Sequence, residues 1–529
     1  MASSFHILTL LAAGVTALAT VPVHAQSVQR GAERTSAAFS AHLPSLRGAM
    51  AQTEGVGAEH RVRELRQIPL IDAPGQVTDP VVQNAPIAAS AAVTTGLGFD
   101  GIGVGLGSFS PRYAPPDTTG AVGATQYVQW VNVDLAVFDK TSGALILGPV
   151  AANSLFQNLG GACATNNDGD PIVQYDKAAD RWVLSQFAVP GGSAGYWQCV
   201  AVSTSSDATG GYNLYAFPYS QFNDYPKVGV WPDGYYVTFN MFTSNFRGAK
   251  VCAYDRASML AGLAATQQCF QLSSSYASLL PADLDGSTAP PAGTPNYLVN
   301  RLSSSLGFWK FHVDWSNAAN STLTGPTLIP VAAYGAACNG GACVPQPGTK
   351  QKLDSLADRL MFRLAYRNTD GIERMVVNHA VMVNQTKRPQ SGNAALRWYE
   401  IRNLGTTPTI HQQSSFSPST DFRWMGSAAM DKQGNMALGY SVSSATRRPS
   451  LAYATRMAGD AAGTLSGETF IVNGTGSQLS NLSRWGDYTH MSIDPVDDCT
   501  FWYVGQYLKQ NGTWNWSTRI ASFRISSCQ

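Results

Sequence analysis

Charge is scarce in this sequence. Only 13% of its 529 residues are Asp, Glu, Lys or Arg, and the net charge is +1. A chain so nearly neutral carries no global field to recruit nucleic acid or an anionic membrane. Long apolar runs are missing too. The stretch from Ile7 to Ala19 is too short to cross a bilayer, and nothing after it approaches about 20 apolar residues, so no membrane span is expected. Cysteine never occurs as CxxC, and no Cys/His spacing suits zinc. Neither an HExxH helix nor a P-loop is found, and Gly101–Gly107 (GIGVGLG) lacks the strand-to-helix context of a dinucleotide fingerprint. Beyond the N-terminal region only His312, His379, His411 and His490 remain, too scattered for a His-rich metal centre.

The N-terminus points to export. The apolar run is followed by Val23-His24-Ala25, a small-x-small cleavage pattern, so residues 1–25 read as a signal peptide. All 8 cysteines lie beyond it, an even count that argues for disulfides in a periplasmic or external compartment. Residues 26–95, rich in Ala, Ser, Gln and Pro with few aromatics, read as a mostly disordered leader or removable pro-segment.

From Gly96 onward the texture turns to glycine, aromatics and short alternating strands, and a repeat emerges. Aspartates open successive units at Asp117, Asp170, Asp224, Asp283, Asp354, Asp421 and Asp487, at spacings by subtraction of 53, 54, 59, 71, 67 and 66 residues. Each is followed by strands such as RWVLSQF (Arg181–Phe187) and FWYVGQY (Phe501–Tyr507). The pattern predicts an all-β fold, a seven-bladed β-propeller over residues 96–529. The seventh unit runs out of chain after three strands, so closure by an N-terminal strand from Gly96–Phe109 is expected, since it removes an open edge. Cysteine pairing between neighbours fits this register: Cys163 with Cys199, Cys252 with Cys269, Cys338 with Cys343 and Cys499 with Cys528.

In a propeller the segments entering the innermost strands converge on one mouth of the central channel, the default place for a ligand. The candidates there are catalytic Tyr488, His490 and Asp487, with substrate binding by Arg363, Arg423, Trp424, Arg484, Trp485, Asp170, Asp224 and Lys227; Asp117, Asp285 and Arg359 share the same rim. Tyr488 or His490 would transfer the proton, and of the two Arg-Trp pairs Arg423 and Arg484 would neutralise a carboxylate while Trp424 and Trp485 would offer stacking faces. Each has a plain structural reading beside it, because strand-opening aspartates often accept the amides of their own turn. No cofactor is called for. TNNDGDP (Thr165–Pro171) and DLDGS (Asp283–Ser287) carry fragments of a calcium-loop pattern without the distal glutamate.

PPDTTGAVG (Pro115–Gly123), GDPIVQYDKAADRW (Gly169–Trp182), DYPKVGVWPDGYYVTFN (Asp224–Asn240) and RWGDYTHMSIDPVDDCTFWY (Arg484–Tyr503) resemble the motifs of a group of secreted bacterial seven-bladed propeller proteins. That resemblance implies the fold and brings no activity with it. More distantly the strands are similar to sialidase-type propellers, whose three substrate-binding arginines Arg363, Arg423 and Arg484 could imitate. The nearest match to that superfamily's aspartate turn, Ser427–Leu438, sets Asp431 and Gly434 one residue too far apart. The functional expectation is a monomeric protein acting on an extracellular glycan, as hydrolase or lyase on acidic polysaccharide. The alternative is a non-catalytic module that binds a glycan or a surface protein.

Overall fold

The computed structural model describes residues 27–50, 60–70, 77–88, 91–191, 194–384 and 392–529. The signal peptide expected over residues 1–25 lies outside them. From Thr119 on, the described chain is a succession of antiparallel sheets, whose first strands are Thr119–Val122, Gly169–Asp176, Phe222–Trp231, Leu280–Asp285, Met361–Thr369, Phe422–Met430 and His490–Ile493, the fourth and fifth being joined where Leu280–Asp285 pairs in parallel with Met361–Thr369. Within a sheet the strands pair in chain order. In the second, for example, Gly169–Asp176 is followed by Arg181–Ala188, Tyr196–Ser203 and Tyr212–Tyr219. Each first strand packs beside that of the next sheet, and the last packs beside the first. The architecture is therefore all-β and propeller-like.

Apolar side chains from adjacent sheets interlock between them, because no single four-stranded sheet can bury both of its faces. One such layer joins Trp231 and Tyr236 to Trp309, Phe311, Tyr366 and Tyr399, contributed by three consecutive sheets. Among the described residues no helix is long and apolar enough to cross a membrane.

The last sheet contributes three strands of its own, and its fourth is Val93–Asp100, antiparallel to Trp516–Ile525 with Arg519 opposite Asp100 and Ile525 opposite Val93. The glycine run is not itself that strand. It follows as turns held against the same neighbour, the Gly101 amide on the Thr518 carbonyl and the Val104 amide on the Trp516 carbonyl, each at 3.0 Å. Glycine is needed at position 103, where φ is +151° and a Cβ would stand 2.5 Å from Cα of Ser517.

Four disulfides join Cys163–Cys199, Cys252–Cys269, Cys338–Cys343 and Cys499–Cys528. The last ties the chain's end to the start of Thr500–Leu508. Replacing Cys499 and Cys528 by serine together is expected to cost about 2–4 kcal/mol, read from denaturant unfolding. An unchanged midpoint would mean that strand pairing alone holds the C-terminus.

The expected disordered leader is corrected by the structure. Ser27–Arg30, Glu33–Ser36 and Phe39–Leu43 add as outer strands to the fourth, third and second sheets in turn. Farther on, Val82–Gln83 pairs with Thr409–Phe416 of the fifth sheet, and Ile87 bridges to Ser466 of the sixth. Asp79 is fixed in a buried ion pair with Arg397 at 2.7 Å and accepts from the Ser415 hydroxyl at 2.6 Å. These segments cover sheet edges that would otherwise present unpaired amides and carbonyls. They bury little of themselves, which is why their composition looks like that of a disordered chain.

Candidate functional site

Before or within the opening residues of each first strand stands a non-glycine residue in the left-handed region: Asp117, Asp170, Tyr225, Ser278, Leu356, Met425 and Asp487, at φ between 46° and 57°. In the second, third and sixth sheets the pairing register slips across this point. A backbone choice that costs about 1–3 kcal/mol per residue and recurs in every sheet is a device of the fold. Four of these residues, Asp117, Asp170, Tyr225 and Asp487, come close enough together for their charges to act on one another. The opening aspartates read from the sequence match these positions in the first, second and seventh units. In the others the alignment is corrected: Asp224 comes one residue early, Asp354 two and Asp421 four, whereas Asp283 comes five residues late and lies inside its strand.

The mouth gathers Asp117, Asp170, Tyr225, Lys227, Arg484, Asp487 and Tyr488, all buried, and the half-buried Asp224. Asp224, Tyr225 and Lys227 come from one strand, with the bulge between Asp224 and Lys227 turning the intervening side chains. Lys227 lies between two aromatic rings, its Nζ 3.3 Å from the ring centres of both Tyr225 and Tyr488, and donates to the Pro226 carbonyl at 2.9 Å. The Tyr488 hydroxyl donates to Oδ2 of Asp170 at 2.8 Å. Arg484 pairs with Oδ2 of Asp487, and Arg359, held by both oxygens of Asp358 at 2.7 and 2.9 Å, lies 4.5 Å from the centre of the Tyr225 ring.

Dense burial of like charges sets the electrostatics. Burial, reinforced by the charge of Asp170 and opposed by Arg359, Arg66 and Lys227, raises Asp224 to about 7. Asp487 is raised to about 6, burial and Asp354 outweighing Arg484 and Arg359. Asp117 stands well above the carboxylate range because it is buried and faces Asp170 and Asp487. Burial likewise pushes Lys227 well below the usual ammonium range despite its acidic neighbours, and holds the Tyr488 phenol well above its ordinary value, with Asp170 adding to the shift. Near neutral pH this site holds carboxylic acids able to give up a proton.

Asp170 and Asp224 also face outward. With Asp168 they line a cavity of about 690 Å³, walled by Phe187, Phe222, Phe242 and Phe246 on one side and by Arg63–Gln67 on the other. Among the described residues no group of three or more His, Cys, Asp or Glu side chains is placed to hold a metal ion. In the calcium-like stretches Asp168 accepts the Val189 amide at 2.6 Å, and Asp283 and Asp285 are bonded to Arg363.

The remaining sequence candidates are elsewhere. His490 is a layer deeper in the channel, near Thr119 and edge-on to Phe362. Burial and the nearby Arg363 hold it well below the usual imidazole range, so it is neutral and does not meet Tyr488 at the mouth. Arg363 spans Asp283 (2.6 Å) and Asp285 (2.7 Å) in that deeper layer. Arg423 binds Glu468 through two bonds of 2.8 and 2.7 Å, away from the mouth. The three arginines expected to share a substrate carboxylate are thus apart, each answered by acids of its own. Trp424 and Trp485 are fully buried against each other, ring centres 6.0 Å apart, and offer no stacking face to a glycan.

The sequence reading missed the phenylalanine wall and the Arg63–Gln67 side of the cavity. The basic run Arg61-Val62-Arg63 was a signal in plain view, but nothing in it says which part of the ring it meets.

No protein-family profile and no curated protein matches the chain. Among solved structures, the WD40 domain of SCAP from fission yeast is 9% identical, covering 75% of this chain and 81% of its own, at a TM-score of 0.32. An endo-arabinase from Bacteroides thetaiotaomicron is 11% identical over 66% and 92% at 0.28, and a polysaccharide lyase, an ulvan lyase, is 10% identical over 81% and 80% at 0.27. At such scores none of them carries an argument about what this chain does.

Proposed function

We propose that this protein is an exported, monomeric seven-bladed β-propeller, closed by Val93–Asp100, that cleaves a glycosidic bond at its channel mouth by acid–base chemistry. The observation that carries the reading is the pair Asp170 and Asp224 on the rim of one cavity, with Asp224 raised to about 7. Asp224 is then protonated below neutrality and donates to the leaving glycosidic oxygen. Asp170 is the second carboxylate that such hydrolysis needs, and the Tyr488 hydroxyl orients it. Hydrolysis is favoured over elimination, because a phenol held well above its ordinary value is a poor base for abstracting a sugar proton. A cavity of about 690 Å³ with an aromatic wall has room for a short stretch of saccharide. Four disulfides suit life outside the cytoplasm.

The test is a panel of neutral, amine-bearing and uronate polysaccharides, with release of reducing ends followed between pH 5 and 8. Turnover of at least one, lost in an Asp170→Asn, Asp224→Asn double variant, is the expected result. Binding without turnover would reduce the protein to a glycan-recognising module, and absence of both would remove glycans from consideration.

A further inference from the structure

The channel mouth is covered by the chain's own N-terminal segment. His60 stacks on Trp514 with ring centres 4.7 Å apart, and Arg61 and Val62 pair in parallel with Tyr113 and Ala114. The Arg63 amide donates to the Ala114 carbonyl at 2.8 Å, and its carbonyl accepts from Nε of Arg484 at 2.9 Å. Ile68 is buried with Phe187, Phe222 and Phe242. Residues 60–70 are thus a strap laid over the carboxylates of the mouth.

The two sides of the cavity beneath it differ in kind. The ring contributes the carboxylates Asp168, Asp170 and Asp224 and a set of phenylalanine rings, with no Lys, Arg or His among its lining residues. Both cationic side chains, Arg63 and Arg66, belong to the strap. The Arg66 guanidinium lies 4.6 Å from the ring centre of Phe222 and 5.6 Å from that of Phe242, and its charge acts on Asp224. Aromatic faces beside carboxylates are the arrangement that accepts a cation. In this protein a cation from the chain itself lies over them.

We propose that the aromatic and acidic side of the mouth is a subsite for a positively charged group, that Arg66 stands in for that group in the free protein, and that the glycan taken here carries amines, as a de-N-acetylated hexosamine polymer does. This rests on the glycan-acting reading and adds the substrate class to it. It also reverses the acidic polysaccharide expected from the sequence, because the arginines that would have held uronates are paired with the protein's own acids.

Titration calorimetry of the full chain with four probes tests it: a glucosamine tetramer, its N-acetylated counterpart, a galacturonate tetramer and a peptide with the His60–Leu70 sequence. The glucosamine tetramer is expected to bind best and to weaken between 50 and 200 mM salt, roughly as screening of close charges requires. Arg66 is exposed, so Arg66→Ala should fold, with Arg66→Gln as a second variant. Loss of a competing cation–π contact should tighten glucosamine binding about threefold to tenfold in both variants and leave the N-acetylated probe unchanged. Asp168→Asn should loosen it. Preference for galacturonate, weaker glucosamine binding in the Arg66 variants, or binding only of a peptide with the His60–Leu70 sequence would overturn the proposal. Equal binding of the neutral and amine-bearing probes would sink the amine subsite and leave the glycan reading standing, whereas binding of no saccharide would sink both.

Discussion

Replacing Arg363 by alanine is expected to lower the free energy of unfolding by about 3–5 kcal/mol. The guanidinium is buried and stitches three first strands together: its own, Met361–Thr369; Leu280–Asp285 through Asp283 and Asp285; and His490–Ile493 through the Met491 carbonyl at 3.2 Å. Burial alone would raise Asp285, but Arg363 and Lys177, the latter at 2.6 Å, hold it well below the usual range. Asp283, with Arg363 and the Val230 amide set against its burial, remains raised. Without Arg363 both carboxylates stay buried, with Lys177 and the charge of Arg367 left to answer Asp285. Chemical denaturation followed by tryptophan fluorescence measures the loss. The double variant Arg363→Ala, Asp283→Asn should recover part of it, because the orphaned charge is then removed as well. A loss below about 1 kcal/mol in the single variant would mean that water reaches this layer, as it does around surface pairs. The pH dependence has a definite sign. With a folded pKa below its unfolded one, the Asp285 contribution is full above the ordinary carboxylate range and is lost as pH falls through it; Arg363→Ala should remove that acid-side loss.

The ring of sheets could be read from the sequence because its strands are long, alternating and aromatic, and because the pattern recurs. The N-terminal edge strands could not. Ser27–Arg30 and Glu33–Ser36 are four residues each, exposed along most of their length, and they pair with strands about 230 to 300 positions later, at Thr266–Gln271 and Thr322–Pro330. No local period marks such a partner. The opening aspartates were legible only where the left-handed residue is itself an aspartate. Elsewhere Tyr225, Ser278, Leu356 and Met425 take that backbone position, although bulk argues against three of them there. His490 and Tyr488 looked like one site because two residues apart in a strand means the same face. Along a strand that separation is also about 6.7 Å, enough to put one residue at the mouth with Asp170 and the other beside Phe362. Arg423 looked free because Glu468, which binds it, is 45 residues away.

The largest effect on activity is expected from Asp224→Asn. An amide at this position keeps the shape of the protonated acid but has no acidic proton to give, so turnover of any glycan cleaved here should fall by about 10²–10⁴-fold, with binding little changed below pH 7, where Asp224 is already uncharged. In the wild type kcat/KM should decline as pH rises through about 7, the value to which burial and Asp170 bring Asp224, and that limb should vanish from the residual activity of the variant. Stability runs in a direction that separates chemistry from folding. A carboxyl whose folded pKa lies above its unfolded one favours folding at low pH and opposes it as pH rises towards the folded value. Asp224→Asn removes that opposition, so at pH 8 its thermal midpoint should equal or exceed that of the wild type, while near pH 4 the two should converge. Lost turnover in a variant at least as stable at pH 8 would place the proton donor at Asp224. A midpoint lower than the wild type at pH 8 would show instead that the ionised carboxylate is needed to hold the mouth together, and the acid would then have to be sought at Asp487, raised to about 6 behind it.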